Sequence, residues 1–326
     1  MKNEKFKTMI GGQALIEGIM MRGPSKDAIV TRGPDGLTLD VKPRKVRPKN
    51  SILSWPLIRG CVNFFDTQVV GVKALMQSAD LSGESEGEST SKLDQWLEKK
   101  LGEKRFQNFV IGFAVFLGLA MSVALFFLLP MLASNLLSRW IESNLLLHLI
   151  EGLIRIVIFV VYIGLTSSMK DMQRVYSYHG AEHKTIRCYE AGLPLTVENI
   201  RGQTRLHPRC GTSFLLIVMI LSILIFSVAS SALLAIVPEL ELLRDQFIYK
   251  LIMILFKLLM LPLVVSVAYE INRIVGRHDN WFTRILTTPG MWFQKFTTRE
   301  PDDSMIEVAI AAVEAVLPET EGEDRW

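Results

Sequence analysis

Histidine and cysteine side chains are concentrated in one polar stretch of this 326-residue chain. Five of its eight His and Cys residues lie within 32 positions, namely His179, His183, Cys188, His207 and Cys210. Imidazole nitrogens and thiolates are preferred ligands of Zn²⁺ in proteins. The stretch therefore predicts a divalent metal site, most simply one for zinc.

The first half of the stretch has the pattern His-Gly-Ala-Glu-His, which places two imidazoles one turn apart on the same face of a helix. His179 and His183 are therefore predicted metal ligands, with hydrogen-bonded histidines in a polar core as the alternative. Glu182 borders the same face and is predicted to accept a proton from water as a general base. The alternative for this carboxylate is an ion pair with a neighbouring cation: Lys184, Arg187 or Arg205.

The second half, His207-Pro-Arg-Cys210, offers two more ligands within one turn of chain. Four ligands together would make a closed, structural tetrahedral site. If His207 or Cys210 stands back, water takes the fourth position and the site becomes catalytic. The sequence does not decide between these arrangements. It also leaves open that Cys210 is a small buried side chain rather than a metal ligand. The placement of His179 and His183 on one face assumes a continuous helix from the second apolar run to Ala191-Gly192. On that helix Cys188 lies opposite His179, so it is not expected to join the two histidines.

Four apolar runs are long enough, as helices, to cross about 30 Å of hydrocarbon. They are Phe109–Ala133, Leu145–Ser168, Phe214–Val237 and Ile248–Tyr269. The predicted fold class is an α-helical polytopic membrane protein. It has four transmembrane helices, a small cytoplasmic N-terminal α+β unit and a His/Cys-bearing cytoplasmic loop.

The distribution of Lys and Arg predicts the orientation, because positive residues are retained on the cytoplasmic side. Residues 1–108 hold eighteen of them, 169–213 hold seven and the chain after Glu270 holds six, whereas 134–144 and 238–247 hold one each. We expect a multi-pass cell-membrane protein with both termini and the His/Cys loop in the cytoplasm. Cysteines in that reducing compartment favour metal binding, catalysis or burial over disulfides.

These patterns divide the chain into seven segments. Residues 1–54 are a cytoplasmic β-rich unit with a basic arm, 55–80 an amphipathic interfacial helix, 81–108 a linker and helix, 109–168 the first transmembrane pair, 169–213 the metal-binding loop, 214–270 the second transmembrane pair, and 271–326 an interfacial tail with a docking helix. Three shorter segments carry predictions of their own. Pro34-Asp35-Gly36 predicts a hairpin. The basic arm at 42–49 favours an anionic lipid surface over nucleic acid. Beyond Pro318 the chain is expected to be disordered.

Three charges fall inside the predicted spans: Glu151, Arg155 and Lys257. Buried charges in a membrane are costly and usually face a partner or a wet cavity. Glu151 and Arg155 are spaced to pair along one helix, which is favoured over a substrate role. Lys257 lacks a counter-ion on its own helix, and a polar crevice for an anionic lipid headgroup would explain it.

Several motifs carry a family resemblance. They are Gly11-Gly12-Gln13-Ala14-Leu15-Ile16-Glu17-Gly18-Ile19-Met20-Met21-Arg22, Tyr178-His179-Gly180-Ala181-Glu182-His183-Lys184, Leu206-His207-Pro208-Arg209-Cys210-Gly211, Arg299-Glu300-Pro301 and Ile306-Glu307-Val308-Ala309. With these motifs the chain resembles the YqhQ-type bacterial membrane proteins, a domain-of-unknown-function family described as predicted metal-dependent enzymes. The resemblance covers about residues 9–316 and implies a bacterial cell-membrane protein with a metal site.

The resemblance also directs attention to the first motif as an additional part of the site. Gln13 and Glu17 could add an amide or a carboxylate to the two histidines, and Arg22 closes the same motif. The alternative is that the glycines, Glu17 and Arg22 fix a tight turn and a salt bridge.

Two functions follow as hypotheses. The first is a membrane-embedded, metal-dependent hydrolase acting at the cytoplasmic face on a lipid-linked or membrane-associated substrate. In it His179, His183 and either His207 or Cys210 bind the metal and Glu182 activates water. The second hypothesis is a non-enzymatic accessory or regulatory protein, in which a structural metal ties the 169–213 loop to the N-terminal unit and the surface binds another membrane complex. A transporter ranks third, because four spans without an internal repeat offer little for alternating access. Membrane lipids are expected partners, and nucleic acid is not.

Overall fold

The computed structural model describes residues 5–44, 48, 50–82, 102–244, 246–278, 280–320 and 322–325. The predicted linker lies outside these residues from position 83 onward, and part of the predicted basic arm does too. The described residues form two compact units. The sheet unit contains those of Met1–Glu84, Ile163–Leu221 and Pro262–Trp326, and the helical unit contains those of Ser85–Tyr162 and Ser222–Leu261.

Strands come first along the described chain, and helices follow. The strands are β1 Gly11–Leu15, β2 Gly18–Arg22, β3 Lys26–Gly33 and β4 Gly36–Pro43. The helices are α1 Ile58–Ser82, α2 Glu103–Val123, α3 Leu129–Leu137, α4 Asn144–Thr166, α5 Lys170–Glu190, α6 Val197–Arg201, α7 Gly211–Ile236, α8 Phe247–Arg277, α9 Trp281–Thr297 and α10 Asp303–Glu314.

Four helical stretches among the described residues are long and apolar enough to cross a membrane. They are Phe109–Leu137, Asn144–Thr166, Gly211–Ile236 and Phe247–Arg277. The prediction of a mostly helical chain with four such stretches is confirmed, and their lengths are those of membrane-spanning helices. The last stretch continues past its predicted end at Tyr269, because Tyr269 and Glu270 still pack against another helix of the sheet unit, α1.

The small N-terminal unit predicted from the sequence is an antiparallel sheet. Its described strands lie in the order β1-β2-β3-β4, so each strand pairs with the next along the chain. The predicted hairpin is present, with Gly33 opposite Gly36. Gly36 has a φ of +118°, a region of backbone space that glycine enters without steric cost.

Helices cover both faces of this sheet. Because successive side chains of a strand point to opposite faces, Ile19 and Met21 enter one core and Met20 enters the other. The first core is closed by α5 and α10, which contribute Tyr178, Ala181, Val308, Ala309, Ala312 and Val313. The second is closed by α1 through Ala74. The predicted docking helix is therefore α10, and its apolar face packs against the core of the sheet unit.

The predicted amphipathic helix at 55–80 corresponds to α1. Its polar stripe is the anchored side: Arg59 Nε donates to Glu270 Oε1 at 2.7 Å. Asn63 Nδ2 donates to the Tyr269 hydroxyl at 2.9 Å. A second stripe is apolar and exposed, at the helical spacing of Phe65, Val69, Val72 and Met76.

The expectation of one continuous helix from the second apolar run to Ala191-Gly192 is wrong. α4 ends at Thr166 and α5 begins at Lys170. The break is stabilised from outside, since Arg299 Nη2 donates to the Ser167 carbonyl at 3.0 Å. The stop at the far end is where the sequence predicts it, because α5 ends at Glu190.

The expectation of disorder beyond Pro318 is also wrong for the described residues of that tail. The N–H of Met9 donates to the Asp324 carbonyl at 2.5 Å, and the Thr8 hydroxyl donates to the Asp324 carboxylate. Asp324 is only 1% exposed. The polar tail is held because a buried threonine near the other terminus supplies its partner, which composition alone does not reveal.

Candidate metal centre

The side chains of the His-Gly-Ala-Glu-His pattern lie on one face of α5. The rings of His179 and His183 are one turn apart, with centroids separated by 4.3 Å. Glu182 Oε2 lies 4.0 Å from His179 Nε2. Both His183 and Glu182 are buried, so the pair of rings and the carboxylate form a polar group inside the sheet unit.

Cys210 joins the two histidines from the turn that precedes α7. Its Sγ lies 3.1 Å from His179 Nε2. One potential ligand atom from each of His179, His183 and Cys210 lies within 4.8 Å of the others, and this is a cluster among the described residues that could hold a metal ion. The Thr212 N–H donates to the Cys210 sulfur at 3.4 Å, which helps to fix the position of the side chain.

Backbone carbonyls fix the orientation of both imidazoles. His179 Nδ1 donates to the Thr297 carbonyl at 2.8 Å, and His183 Nδ1 donates to the Arg205 carbonyl at 2.6 Å. A histidine whose Nδ1–H is held in this way presents the lone pair of Nε2, which is the usual arrangement of a metal ligand. His183 Nε2 is buried and has no hydrogen-bond partner among the described residues. Burial lowers the pKa of His183, a shift that keeps the ring neutral.

Glu182 is held by the first strand. The N–H of Gly12 donates to Glu182 Oε1 at 2.9 Å. Burial raises the pKa of this carboxyl, against the opposing effects of His179 and of the Gly12 N–H. The ion pairs expected as the alternative are made elsewhere, since Lys184 Nζ lies 2.6 Å from Glu300 and Arg205 points to Glu300 as well.

His207 lies beside this cluster without joining it. Its Nε2 is 3.2 Å from Glu190 Oε2, and Arg209 forms an ion pair with the same carboxylate. Burial, followed by the positive charge of Arg209, lowers the pKa of His207 well below 6.5. The neutral ring then donates its N–H to Glu190. The four-ligand arrangement with His207 is therefore absent from the described residues, and three side chains converge instead.

Gln294 in α9 holds the His207 turn in place, and sequence reasoning missed it. The His207 N–H donates to Gln294 Oε1 at 2.8 Å, and Gln294 Nε2 donates back to the His207 carbonyl at 2.7 Å. The same amide reaches the Ser213 hydroxyl at 3.0 Å. A lone amide in an aromatic helix was the available signal, because a fully buried glutamine must find such partners.

Of the three residues suggested by the first motif, Gln13 and Glu17 lie apart from the cluster. Gln13 packs its amide against Gly71 of α1, on the other face of the sheet from Glu182. Glu17 binds Arg174 at 2.5 Å and accepts from the Tyr178 hydroxyl at 3.2 Å. The position of Glu17 matches the alternative of a turn and a salt bridge. Strand alternation explains the position of Gln13, because it sends neighbouring side chains to opposite faces, whereas Glu17 lies in the turn between β1 and β2.

Arg22, the third of these residues, lines a cavity that opens beside the cluster. The cavity has a volume of about 270 Å³, and Glu182, His183 and Cys210 also form part of its wall. Arg22 Nε lies 3.2 Å from Asp27, and its Nη2 lies 3.4 Å from Asp66. The wall of the cavity beside the candidate centre therefore includes a guanidinium group.

The helical unit contains the three charges predicted inside the spans. Arg155 Nη2 lies 2.9 Å from Glu151 Oε1, as the spacing predicts. Lys257 Nζ donates to both oxygens of Glu151, at 2.5 and 2.6 Å. The counter-ion that Lys257 lacks on its own helix is thus supplied by α4, so a lipid headgroup is not needed to explain this lysine.

Arg155 has a further partner that depends on a proline. Pro130 has no N–H to give to the carbonyl four residues earlier, which belongs to Phe126 in a π-helical turn at Ala124–Leu128. Arg155 Nε donates to this carbonyl at 2.7 Å. Its guanidinium also lies over the Phe127 ring, 5.4 Å from the centroid. The guanidinium group therefore has partners from two helical segments as well as an aromatic ring.

Comparison with known proteins identifies the family. The model of the family described as "Protein of unknown function (DUF1385)" matches residues 55–319. The chain belongs to the DUF1385 family. It is 32% identical over 321 residues to "Uncharacterized protein YqhQ" of Bacillus subtilis (strain 168), a similarity that covers 97% of this chain and 95% of that protein. No solved structure matches the chain. The DUF1385 match includes His179, Glu182, His183 and Cys210. It begins after β1, the strand whose Gly12 N–H donates to the Glu182 carboxylate.

Proposed function

We propose that this protein is a membrane-embedded, metal-dependent hydrolase that acts at the cytoplasmic face on a lipid-linked or membrane-associated substrate. The observation that carries the proposal is the convergence of His179, His183 and Cys210 beside the buried carboxylate of Glu182. Three protein ligands next to a carboxylate are typical of a catalytic zinc site, whereas structural zinc is closed by four.

The chemistry of the donor atoms fits a zinc ion. Two imidazoles with their Nδ1–H groups held by carbonyls, together with one thiol, form a mixed nitrogen and sulfur set. The buried Nε2 of His183 has no hydrogen-bond partner among the described residues, and such a group calls for an explanation. A bound cation would supply it.

Glu182 is the residue that would move the proton. When bound, Zn²⁺ supplies Lewis acidity, which polarises the substrate and lowers the pKa of water. Glu182 would accept a proton from a water molecule in the cavity and return it to the leaving group. Its raised pKa favours the first step, because burial makes the carboxylate a stronger base. The Gly12 N–H would hold the carboxylate in position throughout.

Several surfaces support action on a membrane substrate. The apolar stripe of α1 is exposed along Phe65, Val69, Val72 and Met76. Trp281 and Trp292 of α9 are exposed as well, and tryptophan is enriched at membrane interfaces. With the sheet unit on the cytoplasmic side, as the distribution of Lys and Arg favours, these helices would lie along the headgroup layer.

Metal analysis of the full chain, purified in detergent without chelators, tests the ligands. We expect about one zinc or similar ion per chain in the wild type, and its loss in His179→Ala, His183→Ala and Cys210→Ser. Glu182→Gln and His207→Asn should keep the ion. No bound metal in a folded wild-type protein would refute the proposed site.

Hydrolysis is tested by incubating wild-type protein with a bacterial lipid extract and comparing the products with those from Glu182→Gln. Removing a general base typically costs about 10²–10⁴-fold in rate, so products formed by the wild type should be nearly absent. Products at the wild-type rate from a metal-loaded Glu182→Gln protein would exclude this role for Glu182.

A second candidate function is favoured by the way the site joins separate elements. His179 lies on α5, its carbonyl partner Thr297 ends α9, and Cys210 precedes α7. A metal held there would tie the three elements together, as a structural site does. A non-enzymatic accessory protein would therefore keep its cellular function in Glu182→Gln and lose it in His183→Ala.

A further inference from the structure

The cavity beside the candidate metal centre has three arginines in its wall. Arg22 ends β2, Arg44 follows β4 and Arg209 lies in the turn before α7. They come from three separate parts of the chain, and all belong to the sheet unit. The same wall contains one carboxylate, that of Glu182, among its described residues.

The three guanidinium groups are neutralised to different degrees. Arg22 has two carboxylate partners, Asp27 and Asp66, at 3.2 and 3.4 Å. Arg209 is paired with Glu190, but its buried Nε–H has no hydrogen-bond partner among the described residues. The Arg209 side chain is only 9% exposed, so most of this guanidinium group is buried in the cavity wall.

Arg44 is the least neutralised of the three. Its described hydrogen bond is to the Gly23 carbonyl, at 2.8 Å, and it forms no ion pair with a described carboxylate. Partial burial, followed by the positive charge of nearby Arg22, lowers the pKa of Arg44, against the opposing negative charges of Asp27 and Asp66. The cavity wall therefore holds three guanidinium groups, of which Arg44 is the one without an ion pair to a described carboxylate.

We infer that the cavity binds the phosphoryl group of the substrate, so that the substrate of the proposed hydrolase is a phosphate ester. This inference rests on the proposed function. Guanidinium forks match phosphate oxygens in geometry and charge. Arg44, Arg209 and the His179, His183 and Cys210 cluster come from separate segments of the chain around the cavity. A phosphoryl group offers an oxygen to each of them, whereas a carboxylate has only two.

The size of the cavity limits what it encloses. Pockets that surround a whole drug-sized ligand usually have about 300–1,000 Å³. At about 270 Å³ this cavity takes the phosphoryl group and its nearest atoms, and the rest of the substrate stays outside. The phosphoryl group could belong to a lipid or to a soluble ester, and binding measurements separate these sources.

Binding is measured on metal-quantified Glu182→Gln protein in detergent, which excludes turnover. The probes are inorganic phosphate, glycerol phosphate, phosphatidic acid and diacylglycerol, with acetate as the carboxylate control. We expect phosphate and phosphatidic acid to bind and diacylglycerol and acetate not to. Arg44→Gln should weaken binding by at least about tenfold, because a hydrogen bond to a charged group is lost. Arg201→Gln, at an exposed arginine paired with Asp303, is the matched control and should bind as the parent does.

The outcomes separate this inference from the proposed function. Tighter binding of phosphatidic acid than of glycerol phosphate identifies a lipid source, and the reverse identifies a soluble ester. Protein that holds its metal but binds none of the phosphate probes overturns the inference and leaves the hydrolase proposal standing. Phosphate binding that depends on Arg44 in a protein without metal supports the cavity and refutes the metal-dependent function. Equal binding by Arg44→Gln, Arg209→Gln and the parent overturns the assignment of these arginines.

Discussion

Two glycines set how closely the backbone approaches the candidate metal centre. A Cβ at Gly12 would lie 3.4 Å from the Glu182 carboxyl carbon and 2.8 Å from the sulfur of Met21. A Cβ at Gly180 would collide with the Arg299 carbonyl. Gly180 is unfavourable inside a helix by propensity, so its place between the two histidines needs a packing reason. The close passage of the chain at Arg299 supplies that reason.

Gly180→Ala is expected to destabilise the sheet unit by roughly 1–3 kcal/mol, the usual cost of overpacking against a neighbour that cannot move. The helix would have to shift away from Arg299, and metal content should fall because His179 moves with it. Thermal unfolding and metal analysis of the purified variant check both effects. Gly164→Ala is the matched control, since a Cβ there meets nothing within 4 Å. An unchanged unfolding temperature in Gly180→Ala would show that the 299–301 segment yields easily.

Residue spacing predicts part of this centre and misses the rest for a physical reason. His179, Glu182 and His183 share a face because helix geometry dictates it. The approach of Cys210 was one of several open arrangements. His207 satisfies the same spacing argument as Cys210, yet the structure pairs it with Glu190. A buried carboxylate and a neighbouring arginine compete for the ring, and both come from the tertiary fold.

At the scale of elements, the helical unit balances its buried charges across two helices. Glu151 on α4 faces two cations, Arg155 on its own helix and Lys257 on α8. All three side chains are buried. Removing the single anion therefore has a different consequence from removing one of the cations.

We expect Glu151→Gln to be much more destabilising than Lys257→Met. The first leaves two buried cations facing each other and should cost about 3–5 kcal/mol, as breaking a buried pair does. The second leaves the neutral pair of Glu151 and Arg155. The double variant should be more stable than Glu151→Gln alone, because one of the two repelling charges is gone. Thermal unfolding in detergent orders the three proteins, and an equal loss in both single variants would contradict this charge balance.

Hydrophobic patterning predicts the elements better than it predicts their ends. The four apolar helices follow from length and hydropathy, because a membrane imposes both. The break at residues 167–169 carries no proline or glycine, so no local signal marks it. Its carbonyl at Ser167 is satisfied by Arg299, more than a hundred residues later. Such a break can be predicted from sequence only when its distant hydrogen-bond partner is known.

At the scale of the whole molecule, residues near both termini meet in the sheet unit. Thr8 pairs with Arg325 in a β-bridge, and the Thr8 N–H donates to Glu190 at 2.9 Å. The N-terminal region, the end of α5 and the C-terminal tail are thus in one folded body. If the four apolar helices all cross the membrane, an even number of crossings separates these regions, so they must share one side. The distribution of Lys and Arg predicts that this side is the cytoplasm.

Cysteine labelling of intact cells tests this topology. A membrane-impermeant maleimide should label Glu142→Cys and Glu239→Cys without lysis, because both positions are exposed and lie in the connections that carry one basic residue each. Glu319→Cys, exposed in the C-terminal tail, should react only after lysis. The wild-type chain measures labelling of the native cysteines, two of which are buried. Labelling of Glu319→Cys in intact cells would place the candidate metal centre outside the cytoplasm, because the tail and the centre belong to the same unit. The proposed substrate would then have to be sought in the outer leaflet.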